Sequence, residues 1–293
     1  MTHESQFFLD HLGQTSPFPF LIEVDRAEGA YIFDKQGKAY LDMIAGVAVN
    51  NIGHRHPKVI AALKTQLDKH LHVMVYGEFI QDAQQQLVRE LLTVLPVNLN
   101  GVYVVNSGTE AIEAALKLAK RVTGRTELVA FKGSYHGSTH GAMSVSANEV
   151  KKIAFRPLLP DVRFLPHNEI AALEQITTRT AGVIIETIQG DAGVRRPSAA
   201  FMHALRARCT AVGALLIFDE IQCGMGRAGT MFAFEQFDVV PDILTLGKAL
   251  GGGMPIGALV AAQQHLKTFT HAPMLGHITT FGGHPMVCAA AAA

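Results

Sequence analysis

Residues 242–250 of the chain read Asp-Ile-Leu-Thr-Leu-Gly-Lys-Ala-Leu, and Gly-Gly-Gly-Met-Pro follows at residues 251–255. Residues 243–246 are apolar or compatible with a β-strand, which predicts a short buried strand. Lys248 comes directly after it, where burial would lower the pKa of the amine and leave it free to act as a nucleophile. The small neighbours leave room for a large group to bond to this lysine. A solvated loop lysine is the ordinary alternative, and the rest of the chain decides between the two.

From residue 101 onward, short apolar segments alternate with helical patterns. Strands are predicted at residues 102–105, 128–131, 183–185, 215–218, 243–246 and 258–261. Helices are predicted at residues 111–121 and 199–212. Continuous apolar strands separated by helices indicate an α/β fold with a mostly parallel central sheet flanked by helices.

The part of the chain before residue 101 follows a different pattern. Residues 18–24 and 30–33 predict two short strands, and a turn at 34–38 leads to residues 40–42. This order predicts a small β-meander. Two helices are predicted from apolar spacing, at residues 59–67 and 83–92.

The composition limits the class of protein and its partners. The chain has 293 residues, of which 48% are hydrophobic and 17% are charged, so it is able to bury a large core. Its formal net charge is +0, from 25 basic and 25 acidic residues, which gives no electrostatic reason to bind nucleic acid or an anionic membrane. No apolar run is long enough to span a bilayer, and the first residues lack the basic region of a signal peptide.

The cysteines and histidines favour neither a disulfide framework nor a metal site. Cys209, Cys223 and Cys288 are scattered and form no Cys-x-x-Cys pair, which favours a reducing cytoplasm. The closest histidine pairs, His54 with His56 and His70 with His72, lack the helical spacing of a zinc site. The sequence therefore predicts a cytoplasmic protein without a bound metal.

A candidate anion site follows the strand predicted at 102–105, where the chain reads Asn-Ser-Gly-Thr-Glu. Ser107 with Glu110 three positions later is the pattern of a helix capping box, and Gly108 allows a ligand to approach the backbone closely. The free N–H groups and the helix dipole favour an anion here, and the dipole contributes about 0.3–1 kcal/mol. A plain helix cap without a ligand is the alternative.

Ionisable side chains also follow three other predicted strands. They are Glu186 after 183–185, Asp219 and Glu220 after 215–218, and Lys248 after 243–246. Ligands of open α/β sheets bind beyond the carboxyl ends of the strands. These groups are therefore expected on one rim together with the Ser107 cap, and Tyr135, after the strand at 128–131, adds an aromatic face. Such a combination indicates a functional site instead of a set of solvated strand ends.

Two other glycine-containing motifs do not fit the nucleotide sites that they resemble. Residues 224–229 match Gly-x-Gly-x-x-Gly, but they do not lie directly between a strand and a helix, as a dinucleotide-binding motif requires. Gly247-Lys248 is not a P-loop, because Asp242 and Ala249 stand where that motif has Gly and Ser or Thr. The sequence therefore contains no motif that supports a nicotinamide-dependent dehydrogenase.

The ordered motifs resemble those of the class III pyridoxal-phosphate-dependent aminotransferases, of the acetylornithine, ornithine and 4-aminobutyrate aminotransferase type. The matching segments are 53–57, 106–111, 135–137, 219–227, 247–253 and 277–283. The resemblance implies a fold-type I α/β architecture with a mostly parallel sheet and part of a small α+β domain. Residues 1–52 would contribute to the small domain, and residues 53–293 would form the large domain that binds pyridoxal 5'-phosphate.

The resemblance implies a role for each matching residue. Lys248 would form a Schiff base with pyridoxal phosphate and move the proton, and Asp219 would pair with the pyridine nitrogen, so both are predicted to be catalytic. The other predicted cofactor-binding residues are Ser107, Gly108 and Thr109 at the phosphate, Tyr135 and Ile221 on the ring faces, Gln222 at the ring hydroxyl, and His136 and Glu186 close by. Thr280 would reach the phosphate bound by the neighbouring subunit, which implies a homodimer with shared active sites.

Three departures from the family pattern affect the predicted substrate site. Ser138 stands where acetylornithine and ornithine aminotransferases usually have an arginine that binds a substrate carboxylate. Asp191 replaces a glutamate that often pairs with a C-terminal arginine, and His284 replaces a usual asparagine. The predicted substrate-contacting residues are Ser138, Asp191 and Thr279, and the departures do not favour acetylornithine.

The predicted function is a transaminase that moves an amino group from a terminal (ω) primary amine to a 2-oxo acid such as 2-oxoglutarate, by ping-pong chemistry. Ornithine-, acetylornithine- and 4-aminobutyrate-type amines are the candidate donors. A glutamate-1-semialdehyde-type aminomutase is one alternative, but those enzymes commonly have methionine at the position of Gln222. A cofactor-binding fragment without activity is another, because residues 287–293 read as a helix without a stop signal, and a C-terminal part is expected to be absent.

Overall fold

The structure, a computed structural model, describes residues 2–293. A three-stranded antiparallel meander is formed by β1 (Val24–Glu28), β2 (Tyr31–Asp34) and β3 (Ala39–Leu41). This confirms the predicted β-meander. The strand predicted at residues 18–24 is wrong, because β1 begins only at Val24, and Phe18 and Phe20 lie exposed instead of packing on a sheet.

A second sheet of seven strands carries the candidate site. Its strands are β4 (Gly101–Val105), β5 (Glu127–Phe131), β6 (Val162–Leu165), β7 (Thr180–Glu186), β8 (Leu215–Asp219), β9 (Ile243–Leu246) and β10 (Gly257–Ala261). Their order in space is β4-β10-β9-β8-β7-β5-β6. The five neighbouring strands β6, β5, β7, β8 and β9 run parallel to one another. Strand β10 is antiparallel to both β4 and β9. The predicted α/β fold with a mostly parallel sheet is confirmed.

Strand β6 was not predicted from the sequence. It lies at the edge of the sheet, where Arg163 pairs with Glu127 of β5 at 2.8 Å. An arginine among apolar residues interrupts the continuous hydrophobic run by which a central parallel strand is recognised. An edge strand keeps one side accessible to solvent, so it tolerates such a residue.

The helices connect the strands and cover the large sheet. The α-helices are α1 (His3–His11), α2 (Ala45–Ala48), α3 (Pro57–Leu67), α4 (Asp82–Val94), α5 (Gly108–Thr123), α6 (His140–Val145), α7 (Glu149–Lys152), α8 (Ala199–Val212), α9 (Gln263–Leu266) and α10 (Pro285–Ala292). Short 3₁₀ helices lie at Ile153–Phe155, Ile170–Gln175, Ala233–Phe237, Lys248–Gly251 and Lys267–Thr270. The four helices predicted from apolar spacing are confirmed as α3, α4, α5 and α8. None of the helices within residues 2–293 has the length and apolar character needed to cross a bilayer.

Both faces of the large sheet are buried. Leu118 of α5 belongs to the same apolar cluster as Ile217 of β8. Phe201 of α8 belongs to a second cluster, together with Phe218 of β8. Successive residues of a strand point to opposite faces, so Ile217 and Phe218 enter different clusters. Burial on both sides explains why the central strands read as continuous apolar runs.

The strand register brings the predicted ionisable residues to one edge of the sheet. Glu186 at the end of β7 is paired with Asp219 at the end of β8, and Asp219 is paired with Thr245 of β9. Helix α5 starts at Gly108, shortly after β4 ends at Val105. Since β4 and β9 are both antiparallel to β10, their carboxyl ends lie at the same edge.

Leu118→Ala should lower the free energy of unfolding by about 2–5 kcal/mol, because the side chain is 0% exposed and its truncation leaves a cavity. Leu92→Ala in α4 is the matched control, since Leu92 is 43% exposed. Its loss should stay below about 1 kcal/mol. Urea unfolding followed by circular dichroism measures both values, and equal losses would contradict the placement of Leu118 in the core.

Candidate active site

Lys248 starts a 3₁₀ helix just beyond β9, separated from the strand by Gly247. Its φ angle is 44°, in the left-handed region that residues other than glycine rarely adopt. Backbone strain of this kind persists where the surrounding structure enforces it, and it is concentrated at functional sites. The side chain is half-buried and lines a cavity of about 250 Å³.

This cavity brings together most of the residues predicted to bind a cofactor. Its wall consists of Gly108, Thr109, Tyr135, His136, Gly137, Ser138, Glu186, Ile188, Asp219, Ile221, Gln222 and Lys248. Sequence reasoning did not single out Gly137 or Ile188. Gly137 was recognisable as the end of the Tyr-His-Gly motif, whereas Ile188 is an apolar loop residue with no local signal. The residues come from the carboxyl ends of β7, β8 and β9 and from segments after β4 and β5.

The N-terminus of α5 forms one end of the cavity. Ser107 caps the helix, because its Oγ accepts a hydrogen bond from the N–H of Glu110 at 3.3 Å. In a capping box, the side chain of Glu110 would accept the backbone N–H of Ser107. Here Oε2 of Glu110 instead accepts the N–H of Asn106, the preceding residue, at 2.7 Å. The N–H groups of the first turn have no partner within the helix, and this end of the dipole attracts an anion.

Asp219 is a buried carboxylate with a partner on each oxygen. Oδ2 accepts a hydrogen bond from Nδ1 of His136 at 2.7 Å, and Oδ1 accepts the N–H of Ile221 at 3.0 Å. The His136 ring is completely buried, and its Nε2 has no hydrogen-bond partner within residues 2–293. The charge-assisted bond fixes the orientation of the Asp219 carboxylate. Sequence reasoning placed both residues at the site but missed this pairing, which joins positions far apart in the chain.

Glu186 connects two loops of the cavity wall. Its Oε1 accepts the N–H of Tyr135 at 2.9 Å, and its Oε2 accepts the N–H of Gly190 at 3.0 Å. Burial raises the pKa of the Glu186 carboxyl above its ordinary value, and the neighbouring Asp219 carboxylate adds to this rise. Two carboxylates side by side make this end of the cavity favourable for a cationic group.

Tyr135, Ser138 and Gln222 complete the wall. The hydroxyl groups of Tyr135 and Ser138 are hydrogen-bonded at 3.1 Å. Gln222 lies against Gly190, where a Cβ atom would come within 2.3 Å of its Oε1. Glycine at position 190 therefore lets the loop after β7 pack closely on Gln222.

Glu220 does not line the cavity, although it follows Asp219 directly. Its carboxylate oxygens accept the N–H groups of Ala233 and Phe234, each at 2.7 Å, at the start of the 3₁₀ helix Ala233–Phe237. Burial raises the pKa of the Glu220 carboxyl to about 7. The carboxylates of Asp219 and Glu220 thus have different roles, since Asp219 faces the cavity and Glu220 holds a neighbouring segment.

Some predicted site residues do not line the cavity. Ser107 lies just behind it as the cap of α5. Asp191 pairs with Lys151 through a 3.2 Å contact. Thr279 is half-buried and Thr280 is exposed, in the segment that precedes α10.

Comparison with known proteins assigns the family. The family described as Aminotransferase class-III matches residues 13–293. The chain belongs to the class-III aminotransferases. Enzymes of this family depend on pyridoxal phosphate, so the chain is a pyridoxal-phosphate-dependent aminotransferase.

Two curated relatives illustrate the similarity. The acetylornithine aminotransferase of Methanopyrus kandleri is 42% identical over 284 residues, which cover 97% of this chain and 71% of the relative. The LysW-aminoadipate semialdehyde/glutamate semialdehyde transaminase of Sulfurisphaera tokodaii is 39% identical over 272 residues, which cover 93% of this chain and 69% of the relative.

Solved structures confirm the fold-type I architecture. An (S)-enantioselective omega-transaminase from Thermomicrobium roseum superposes with a TM-score of 0.89 at 26% identity, over 98% of this chain and 72% of the other. An amine transaminase from an uncultivated Pseudomonas species, solved in its PLP-bound form, gives a TM-score of 0.87 at 29% identity, over 96% and 72% of the two chains.

The residues around the cavity fit pyridoxal phosphate. A Cβ atom on Gly108 would lie 2.8 Å from Cγ2 of Ile221, and one on Gly247 would lie 3.2 Å from the same carbon, so both glycines keep the cradle at the start of α5 open. The N–H groups there suit a phosphate. The Asp219 carboxylate suits a protonated ring nitrogen, and the Lys248 amine suits an aldehyde.

The raised pKa of Glu220 predicts how the stability of the protein depends on pH. The folded carboxyl has a pKa of about 7 against an ordinary value of 4.5, so between these limits the folded state keeps a proton that the unfolded state has released. The contribution of this carboxyl group to the free energy of unfolding is therefore fully present below pH 4.5 and is lost as the pH rises to 7. Relative to Glu220→Gln, which does not titrate, the wild type should lose roughly 3 kcal/mol of unfolding free energy over this window.

Urea unfolding of both proteins at a series of pH values measures this difference. Glu169→Gln is the control, because Glu169 is an exposed glutamate outside the site. Its difference from the wild type should not change with pH. A difference between the wild type and Glu220→Gln that stays constant from pH 5 to 7 would exclude the raised pKa.

Proposed function

We propose that the enzyme transfers an amino group from a terminal (ω) primary amine to a 2-oxo acid such as 2-oxoglutarate, by a ping-pong reaction. The observation that carries the proposal is that the Lys248 amine, the Asp219 carboxylate and the N-terminus of α5 meet at one cavity. These three features match the aldehyde, the ring nitrogen and the phosphate of the cofactor.

Pyridoxal phosphate, when bound, draws electrons from the carbon that carries the substrate amino group. Lys248 would hold the cofactor covalently in the resting enzyme, and its amine, once released, would move the proton at that carbon. Asp219 would keep the ring nitrogen protonated, and His136 would hold Asp219 in place through the 2.7 Å bond. Tyr135 and Ile221 are proposed to contact the ring faces, and Gln222 is proposed to contact the ring hydroxyl. Ser107, Gly108 and Thr109 are proposed to contact the phosphate. Glu186 is proposed to position Tyr135.

The names of the relatives support a donor with an amine at one end and a carboxylate at the other. Acetylornithine is one such amine, and a semialdehyde is what remains when a terminal amine loses its nitrogen. Ornithine-, acetylornithine- and 4-aminobutyrate-type molecules all belong to this class. Ser138, Asp191 and Thr279 are proposed to contact the part of the substrate away from the reacting amine.

A homodimer with shared active sites is part of the proposal. Thr280 is exposed, and its neighbours Ile278 and Phe281 are exposed apolar residues, as expected for a segment that another chain covers. Thr280 of the partner subunit would then reach the phosphate.

We also propose that residues 1–52 contribute to a small domain and that residues 53–293 form the large domain that binds the cofactor. The three free, buried cysteines fit a reducing cytoplasm.

Lys248→Ala should lower the rate of glutamate formation from 4-aminobutyrate and 2-oxoglutarate by at least about a thousandfold, because the proton-transfer group is lost. Borohydride treatment followed by mass spectrometry should add one cofactor to the wild type and none to the variant. Lys132→Ala, at an exposed lysine outside the cavity, is the control and should behave like the wild type. Normal turnover by Lys248→Ala would refute the assignment.

Thr280→Ala should weaken cofactor binding by about tenfold through the loss of a hydrogen bond to a charged group. The dimer predicts complementation when Thr280→Ala is mixed with Lys248→Ala and the subunits are allowed to exchange. Each mixed dimer then contains one site with both residues intact, so activity at low cofactor concentration should rise above that of either variant. No rise after demonstrated subunit exchange would place Thr280 in its own subunit's site or outside the site.

A further inference from the structure

Residues 277–284 lead into helix α10, and hydrogen bonds hold this segment at both ends. At one end, Nζ of Lys117 donates a hydrogen bond to Nδ1 of His277 at 2.9 Å. At the other end, Nε2 of Gln84 in α4 donates a hydrogen bond to the carbonyl of Gly283 at 2.7 Å. The position of the middle of the segment, which is largely exposed, therefore depends on both ends.

His284 ends this segment and caps α10 with its imidazole ring. Its Nδ1 accepts the N–H of Met286 at 3.2 Å. A backbone N–H group only donates, so Nδ1 carries no proton here and the ring is neutral, with its proton on Nε2. Protonation of Nδ1 would leave two N–H donors facing each other at the start of the helix. The cap therefore exists only in the neutral form of His284.

A second histidine stacks on the ring of His284. The ring centroids of His72 and His284 are 5.3 Å apart, and the ring planes differ by 15°. Phe281 packs against both rings, with its centroid 4.9 Å from that of His72 and 6.0 Å from that of His284. The three rings join the segment to the chain that follows α3. Neutral rings are stable in this arrangement, whereas two imidazolium ions at this distance repel each other.

The electrostatic surroundings of His284 favour the neutral ring. Burial lowers the pKa of His284 below its ordinary value of 6.5, and His72 and His70 lower it further. The partial positive charge at the N-terminus of α10 also opposes a cation at this position. Within residues 2–293, neither His72 nor His284 forms an ion pair with a carboxylate that would offset these effects.

The elements that pack on α10 bring no compensating charge to the rings. These elements are α3, α4 and the 3₁₀ helix Lys248–Gly251. Helix α4 presents the neutral Gln84 to this end of the segment, and its Asp82 pairs with Lys69 at 3.9 Å. The other charged residues of these elements do not shift the pKa of His284, and they are Lys58, Lys64, Arg89, Glu90 and Lys248.

We propose that His284 is a positioning residue that holds residues 277–284 in place only while its ring is neutral. Protonation removes the acceptor at the start of α10 and places a charge against His72. The end of the segment is then released together with Phe281. This control responds to pH because an imidazole group titrates close to neutrality.

The direction of the pH effect follows from the lowered pKa of His284. The folded state binds the proton less readily than the unfolded state does. The contribution of the neutral ring to stability is therefore fully present above pH 6.5 and is lost as the pH falls through the lowered pKa of the folded state. Thr280 lies in the same segment, so release should weaken the contact with the cofactor phosphate that is proposed for it. This last step rests on the proposed function, whereas the release of the segment does not.

Hydrogen exchange of the cofactor-loaded protein tests the release. At about pH 5, the amide protection of residues 277–290 in the wild type, corrected for the intrinsic exchange rate, should fall about tenfold below its value at about pH 7.5. His284→Asn should keep its protection at both pH values, because asparagine caps a helix and does not titrate. His284→Ala should have low protection at both, since it lacks the cap. His72→Gln should lose less protection in acid than the wild type, because one of the two charges is absent.

Two controls separate local release from a general loss of stability. The amides of β5 are the internal reference, because this strand is paired on both sides, with β6 and β7, and their protection should not change. His11→Asn, at an exposed histidine of α1, should behave like the wild type. The proposal is overturned if the wild type keeps the protection of residues 277–290 at pH 5, or if His284→Asn loses it to the same extent.

Cofactor affinity tests the consequence for the active site. Between about pH 7.5 and pH 5, the wild type should lose about ten times more affinity for pyridoxal phosphate than His284→Asn does. Equal losses, combined with release of the segment in the wild type, would support positioning by His284 and contradict the role proposed for Thr280. A greater loss of affinity in the wild type without release of the segment would overturn this inference and leave the proposed function intact.

Discussion

Three buried carboxylates at the ends of two neighbouring strands control the geometry of the cavity. A carboxylate removed from water must find hydrogen-bond donors, because leaving it unpaired costs several kcal/mol. Each of the three takes its donors from a different part of the chain: Glu186 from Tyr135 and Gly190, Asp219 from His136 and Ile221, and Glu220 from Ala233 and Phe234. The loops around the cavity are therefore held by the need to satisfy these groups, and the sheet register fixes where the groups stand.

This arrangement separates the residues that face the cavity from those that hold its wall together. Asp219 and Lys248 are presented to the cavity, whereas Glu220 is turned to the start of the 3₁₀ helix Ala233–Phe237. His136 belongs to both groups, since it lines the cavity and also fixes the Asp219 carboxylate. A change in a supporting residue is thus expected to act on the site through position and charge, without direct contact with a substrate.

The sequence predicted the parts of the fold that depend on local patterns. Apolar runs identified six strands of the large sheet, and strand-end residues placed Glu186, Asp219 and Lys248 on one rim, because parallel strands align their carboxyl ends. Strand β6 was missed because Arg163 interrupts its apolar pattern, and the pairing of His136 with Asp219 was missed because it joins distant segments. Asp191 contacts Lys151, and no local signal in the sequence indicates this pair, because its two residues lie in different segments of the chain.

The position of β10 has a consequence for how the chain is made. Strand β4 pairs with β10, and a Cβ on Gly257, the first residue of β10, would lie 2.1 Å from the carbonyl oxygen of Ser107. The cap of α5 is thus packed against a strand that leaves the ribosome about 150 residues later, a separation of the kind that slows folding through loop closure. During synthesis, the start of α5 therefore acquires its final support only after all the other strands of the sheet have been made.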